Sequence, residues 1–250
     1  MDLNEKKGKG FKRHPWELAR TYSFLAEITD EMNMRKDPEK EYKYINVGAG
    51  DIYFDKVLIN SYSNNTAYAV DIGYKNLNSK MDSIKKFNTI EEIQEGEFDY
   101  ALMMDSLEYM PDDSQYLCKL ANKIKNGGYI FLTLPSFQFL RSEHDENVGN
   151  LRRYSESSVK NMINKCNGEL KIVKMHYFYF SLLVVRVLQK VLHIPIDPEH
   201  KVTTGWKFDR NSIITRLVIR ILIIDYHFCK LSKGMVPGLS LMVALKKEDA

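Results

Sequence analysis

Tyr44-Ile45-Asn46-Val47-Gly48-Ala49-Gly50-Asp51 is an apolar strand that runs straight into a glycine turn. A short helical stretch follows, and then Ala67-Tyr68-Ala69-Val70-Asp71, a second apolar strand that ends on a carboxylate. Glycines at 48 and 50 remove the Cβ atoms that would hold a ligand away from the backbone. An acid at the tip of the next strand, about 20 residues on, can accept hydrogen bonds from two ribose hydroxyls. The pair of stretches predicts a pocket for an adenosine-containing cofactor.

Outward from that pair, strands alternate with helices. His14-Pro15-Trp16 starts an amphipathic helix carrying Leu18, Tyr22, Leu25, Ile28 and Met32, with Lys36-Asp37-Pro38 as its end. Strands are predicted over 43–48, 66–71, 98–104, 129–134, 169–178 and 239–245, with a poor one near Phe87. Helices are predicted over 52–62, near Ile90–Ile93, over 112–125 up to Gly127-Gly128, and from a cap at Ser155. Such alternation gives an α/β fold, a Rossmann-like, mostly parallel seven-stranded sheet with helices on both faces. Ligands bind beyond the carboxyl ends of such strands, which places Gly48–Asp51, Asp71, Asp105–Tyr109 and Pro135–Tyr154 on one rim.

Residues 180–233 read as a helical insertion before the last strand: Leu182–Leu192, a loop with Pro195 and Pro198, and a long helix from Asn211. The predicted organisation is an N-terminal tail and helix (1–40), a core (41–178 with 234–250) and a helical cap (179–233). The last helix is apolar over most of its circumference, with Arg216 and Arg220 as a charged stripe. It suits a buried cap, a homodimer interface or a peripheral membrane contact.

Bulk composition is that of a soluble globular protein, 44% hydrophobic and 28% charged. A net charge of +3 does not by itself indicate a nucleic-acid binder, and the basic run Lys6–Arg13 reads as a solvated terminus. Cys118, Cys166 and Cys229 lack metal or redox spacing and read as unbridged thiols in a reducing compartment, with no metal site. No secretory h-region is visible, and Ile213–Phe228, the nearest approach to a span of ~18 apolar residues, is broken by Arg216, Arg220 and Asp225. The expectation is a cytoplasmic protein without a transmembrane span.

Two glycines leave the cofactor open. Nicotinamide enzymes on this kind of sheet carry a third glycine where this chain has Tyr53. The chain resembles the class I S-adenosylmethionine-dependent methyltransferases, in particular their type 11/12-like members, over most of 43–178 and the final strand. Asn46–Asp51 resembles that family's glycine motif, Asp71 its ribose-binding acid, and Phe98–Asp113 its fourth-strand segment. Gly127–Pro135 resembles its fifth strand, while Ser142-Glu143-His144-Asp145 and Leu151-Arg152-Arg153-Tyr154 are similar to members acting on small molecules and surface-glycan or lipid precursors. Asn46, Ile52 and Tyr109 depart from the acid, glycine and histidine common there.

The resemblance implies S-adenosylmethionine as cofactor, leaving S-adenosylhomocysteine, and binding by Gly48, Ala49, Gly50, Asp71, Ile72, Met104, Asp105 and Ser106. Asp82 is the guess for an adenine contact, and Glu108 is assigned a structural role. On the acceptor side the candidates are His144, Asp145, Arg152, Arg153 and Tyr154. A histidine titrates in the range suited to taking a proton from a hydroxyl. Of the two arginines, one is expected to clamp a phosphate or carboxylate and the other to pair with Glu143, Asp145 or Glu146, with Tyr154 closing the pocket. The expected reaction is O-methylation of a small anionic acceptor, such as a phosphorylated or nucleotide-linked sugar or a surface-glycan precursor. The alternatives are a nicotinamide-dependent oxidoreductase and a non-catalytic S-adenosylmethionine-binding module.

Overall fold

Residues 98–104 and 129–134 read as nearly unbroken apolar runs because the middle of the sheet they build is buried on both faces. A computed structural model describes residues 13–74, 83–166, 168–192, 208 and 211–248. The expectations for Lys6 to Lys12, Asp82, Pro195 and Pro198 fall outside them, as does the side chain of His144.

The helices are α1 (Pro15–Glu31), α2 (Tyr53–Ser61), α3 (Asp113–Lys123), α4 (Glu143–Asn147), α5 (Glu156–Asn164), α6 (Phe180–Val191) and α7 (Ile213–Leu231). The strands are β1 (Tyr42–Val47), β2 (Asn65–Val70), β3 (Ile84–Phe87), β4 (Phe98–Met104), β5 (Ile124–Pro135), β6 (Leu170–Phe178) and β7 (Ser240–Lys247). They form one sheet in the order β3-β2-β1-β4-β5-β7-β6. β1 to β5 run parallel, and β7 inserts antiparallel between β5 and β6. Chain direction across the sheet reverses between β1 and β4, so their carboxyl ends flank the crevice where such sheets bind ligands.

Successive residues of a strand face opposite ways. Ile45, Val47, Ala101, Met103, Ile130 and Leu132 join one core, and Tyr44, Ala67, Tyr100, Leu102 and Phe131 the other. In the second core Tyr44 stacks on Tyr100 with centroids 4.9 Å apart. Burying phenols needs partners for their hydroxyls. Tyr44 donates to Asp55 at 3.0 Å and Tyr100 to Asn65 at 3.1 Å.

α1 is buried along Leu18, Thr21, Phe24 and Ile28, while Tyr22 stays exposed. It ends at Glu31 rather than at Pro38, because Asn33 turns left-handed at φ 53° two residues later. Its Glu27 is buried, yet accepts from Tyr226 at 2.5 Å and lies 2.7 Å from the Lys230 ammonium and 3.1 Å from that of Lys174. Those partners offset the desolvation of a buried carboxylate and fasten α1 to β6 and α7.

Two expectations are corrected. Gly127-Gly128 is not a helix stop: α3 ends at Lys123, and the glycines lie inside β5 where its register against β4 slips between Phe98 and Tyr100. A Cβ on Gly128 would sit 2.7 Å from the Asp99 carbonyl oxygen, so the irregularity needs a glycine. The cysteines are not all free either, since Cys118 and Cys166 form a disulfide and only Cys229 is a thiol. The two partners lie 48 residues apart in sequence, and only the packing of α3 against α5 brings them together. Among the described residues no helix is long and apolar enough to cross a membrane.

Candidate active site

The glycine turn folds back over the end of β2. Gly48 and Ala49 both donate to the Val70 carbonyl, at 2.9 and 3.1 Å. Gly48 has φ +72°, and a Cβ there would lie 2.5 Å from the Ser106 Cβ. Conformation and close approach therefore both demand glycine. Ser106 is buried and donates to the Val47 carbonyl at 2.9 Å, so it supports the turn from β4. Ile52 is left-handed at φ 54°, an uncommon state for a β-branched residue that is retained with the side chain buried.

Asp71 is held at both oxygens. One accepts from the Gly50 N–H at 3.0 Å and the other from the Gly73 N–H at 2.8 Å. Each oxygen keeps a further lone pair for an incoming hydroxyl. Ile72 beside it is 93% exposed, an apolar face next to a fixed carboxylate. Asn46 donates to both oxygens of the buried Asp55, at 3.0 Å each. Burial still raises Asp55 to about 6 against these bonds from Asn46 and Tyr44. An acid at 46 would set a second carboxylate there, which accounts for the amide in this chain.

The methionine-end candidates meet α1. Asp105, left-handed at φ 48°, accepts from the Thr133 hydroxyl at 3.0 Å and is ion-paired to Arg20. The Arg20 guanidinium stacks over Trp16, 4.6 Å from the ring centroid. Arg13 pairs with Asp51 at 2.5 Å and lies 3.8 Å over the Tyr53 ring. Met104, half-buried, ends β4 alongside. Arg13 and Arg20 are functional candidates missed in the sequence, where no motif links α1 to the turn. The available signal was Arg20 on the same helical side as Trp16, four residues earlier.

On the other half of the rim, Asp145 is buried and saturated. It accepts from Ser142 N–H at 2.9 Å, Asn150 Nδ2 at 3.1 Å and Arg153 Nη2 at 2.8 Å. Burial pushes its carboxyl up, but Arg153 and the Ser142 donors outweigh that and hold it below the usual range. Arg152 donates to the Met110 and Pro111 carbonyls at 2.7 and 2.8 Å and lies 3.2 Å from Asp113. Tyr154 is buried, and its hydroxyl donates to the same Asp113 at 3.0 Å. Its backbone pairs with Pro135 and Phe137, so it anchors the loop after β5 instead of closing a pocket mouth. His144 lies on α4, next to Asp145. Two further residues join the cluster. Burial raises the Glu108 carboxyl to about 8 despite Arg20 and Arg153 nearby, and Arg186 of α6 donates to Ser142 Oγ at 3.4 Å.

No family model matches the chain, and no curated protein sequence is similar to it. Solved structures do share its fold. A protein from Galdieria sulphuraria with a proposed sarcosine dimethylglycine methyltransferase activity matches 98% of this chain and 94% of its own, at TM-score 0.56 and 13% identity. A geranyl diphosphate methyltransferase in complex with S-adenosylmethionine matches 92% and 85%, at TM-score 0.55 and 9% identity. Phosphoethanolamine N-methyltransferase 2 from Haemonchus contortus, also with S-adenosylmethionine, matches 92% of this chain and 57% of its own, at TM-score 0.52 and 13% identity.

Proposed function

We propose that this chain, which has the class I methyltransferase fold, is an S-adenosylmethionine-dependent methyltransferase that methylates an oxygen of a small anionic acceptor. The observation that carries the reading is Asp71, fixed by the Gly50 and Gly73 amides at the mouth of the β1–β4 crevice, with the exposed Ile72 beside it. A carboxylate held in this way suits a ribose diol, and the isoleucine suits a flat base.

When bound, S-adenosylmethionine supplies a sulfonium methyl group already activated toward attack. The chain's own residues then have to bind, orient and exclude water, and orientation supplies at most ~7–11 kcal/mol of a barrier. Gly48, Ala49 and Gly50 leave the backbone bare against the cofactor's amino-acid half. Asp105 and Arg20 offer a carboxylate for an ammonium and a guanidinium for a carboxylate, while Met104 and Ser106 shape the floor. His144 takes the proton from the acceptor hydroxyl.

The anionic acceptor is supported by charge. Arg20 and Arg153 are ion-paired to Asp105 and Asp145, whereas Arg186, beside Arg153, donates only to Ser142 Oγ among the described residues, which leaves its positive field for an anion. A phosphorylated or nucleotide-linked sugar, or a surface-glycan precursor, fits that field. Calorimetry with S-adenosylhomocysteine is the first test: binding is expected, weakened at least tenfold in Asp71→Asn, with no heat from NAD. No heat from S-adenosylhomocysteine sinks the proposal. His144→Gln is expected to abolish turnover while leaving that affinity unchanged, and Arg186→Ala to raise the acceptor KM.

A further inference from the structure

The outward side of α7 is apolar where it meets solvent. At 100° per residue, Ile213, Leu217, Ile221, Ile224, Phe228 and Leu231 fall within an arc of about 80°. All are exposed, Ile213 by 84%, Leu231 by 81% and Ile224 by 68%. The opposite side, with Thr215, Leu222, Tyr226 and Cys229, is the buried one. α6 packs against α7 and adds the exposed Val185 and Leu188.

Charge decides what covers this face. Arg216 and Arg220 are exposed and border the apolar arc on one side, and Lys190 and Lys233 are exposed at the ends of the helices. Asp225 is the one acid in α6 and α7, and it is consumed at the α6 N-terminus. Its carboxylate accepts from the Phe180 N–H at 3.0 Å and the Ser181 N–H at 2.8 Å. A two-fold pairing of copies through this face would bring like-charged rows together, with the one acid of these helices already engaged at the α6 N-terminus. Four charged residues along α7 also bar it from spanning a bilayer. An apolar stripe bordered by cations is the pattern of a helix lying in the plane of an anionic lipid surface.

We propose that the α6–α7 face docks the protein on anionic membrane lipid, with the apolar arc of α7 in the acyl boundary and Arg216 and Arg220 at the headgroups. The inference is independent of what the crevice binds, so vesicle binding and cofactor binding can fail separately.

The test is co-sedimentation of the full chain with vesicles of phosphatidylcholine, and with vesicles in which about a third of that lipid is replaced by phosphatidylglycerol. Binding is expected at least tenfold stronger to the anionic vesicles and weakened by high salt. Leu217→Asp with Ile224→Asp is expected to abolish it. Arg216→Gln with Arg220→Gln, which leaves the apolar arc intact, is expected to weaken it about 25-fold. Circular dichroism melting checks the fold; if the aspartate pair melts early, the glutamine pair decides. Absence of anionic-vesicle binding, or binding unmoved by the glutamine pair, overturns the proposal. So does a concentration-dependent dimer that Ile224→Asp dissolves, which would give the face to a second copy.

Discussion

The two halves of the carboxyl rim are built differently. Around Gly48, Gly50 and Asp71 the backbone provides the structure, and the carboxylate keeps lone pairs in reserve. Around Asp145, Arg152, Arg153 and Tyr154 the charged side chains are spent on one another and on carbonyls. A half that serves a constant ligand can be made of turns, whereas a long loop first needs internal bonds to hold its shape. The half around Asp145 is therefore more a built wall than a set of free hands.

The comparison breaks most visibly at Arg153. Arg153→Ala leaves the buried Asp145 without its cation, and a loss of about 3–5 kcal/mol in unfolding free energy is expected by denaturant titration. Arg153→Met with Asp145→Leu is expected to recover only part of it, because the Ser142 and Asn150 donors then lose their acceptor. If Arg153→Ala changes the acceptor KM with stability untouched, the guanidinium belongs to the substrate and the contrast fails.

On the glycine-turn half, Gly48→Ala is expected to cost about 2–3 kcal/mol, from left-handed strain and overlap with Ser106, and to weaken S-adenosylhomocysteine binding. Adding Ser106→Gly is expected to relieve the overlap but not the strain. Melting curves and calorimetry on both variants separate the two terms.

Glu108 gives a pH test. Its folded carboxyl, raised to about 8, holds a proton that the unfolded chain releases near its ordinary value of 4.5. The stability tied to that proton is complete below about pH 4.5 and is lost as pH rises toward and through about 8. Glu108→Gln is expected to flatten the decline, on the order of 2 kcal/mol between pH 5 and 8, read from melting temperatures. An unchanged pH profile would show that water reaches the carboxyl. The smallest effect is expected for Arg152→Lys. It exchanges the planar fork on two carbonyls for a single ammonium, at about 1 kcal/mol, with acceptor KM unaltered.

Much of this architecture could be read from residue order. The β4 limits at Phe98 and Met104, the Ser155 cap and the helical section before the last strand all follow from periodicity and turn residues. The Gly127-Gly128 misreading shows the limit, since a glycine pair after a helix and one in a strand irregularity look alike without the neighbouring strand. Cys118–Cys166, Arg20–Asp105 and Arg153–Asp145 were beyond that reach, although the last was one of the pairings open to Arg153.

The amino-acid order by itself determined the alternating α/β layout, the bare turn at Gly48–Gly50 and the acid at 71, because these depend on backbone conformation and on neighbours a few residues away. Only the folded chain decided that α1 brings Arg20 to Asp105, that Asp145 absorbs Arg153, and that α7 faces solvent with its isoleucines. Those outcomes depend on which distant groups share a low-dielectric interior, and that is set by packing across the whole sheet.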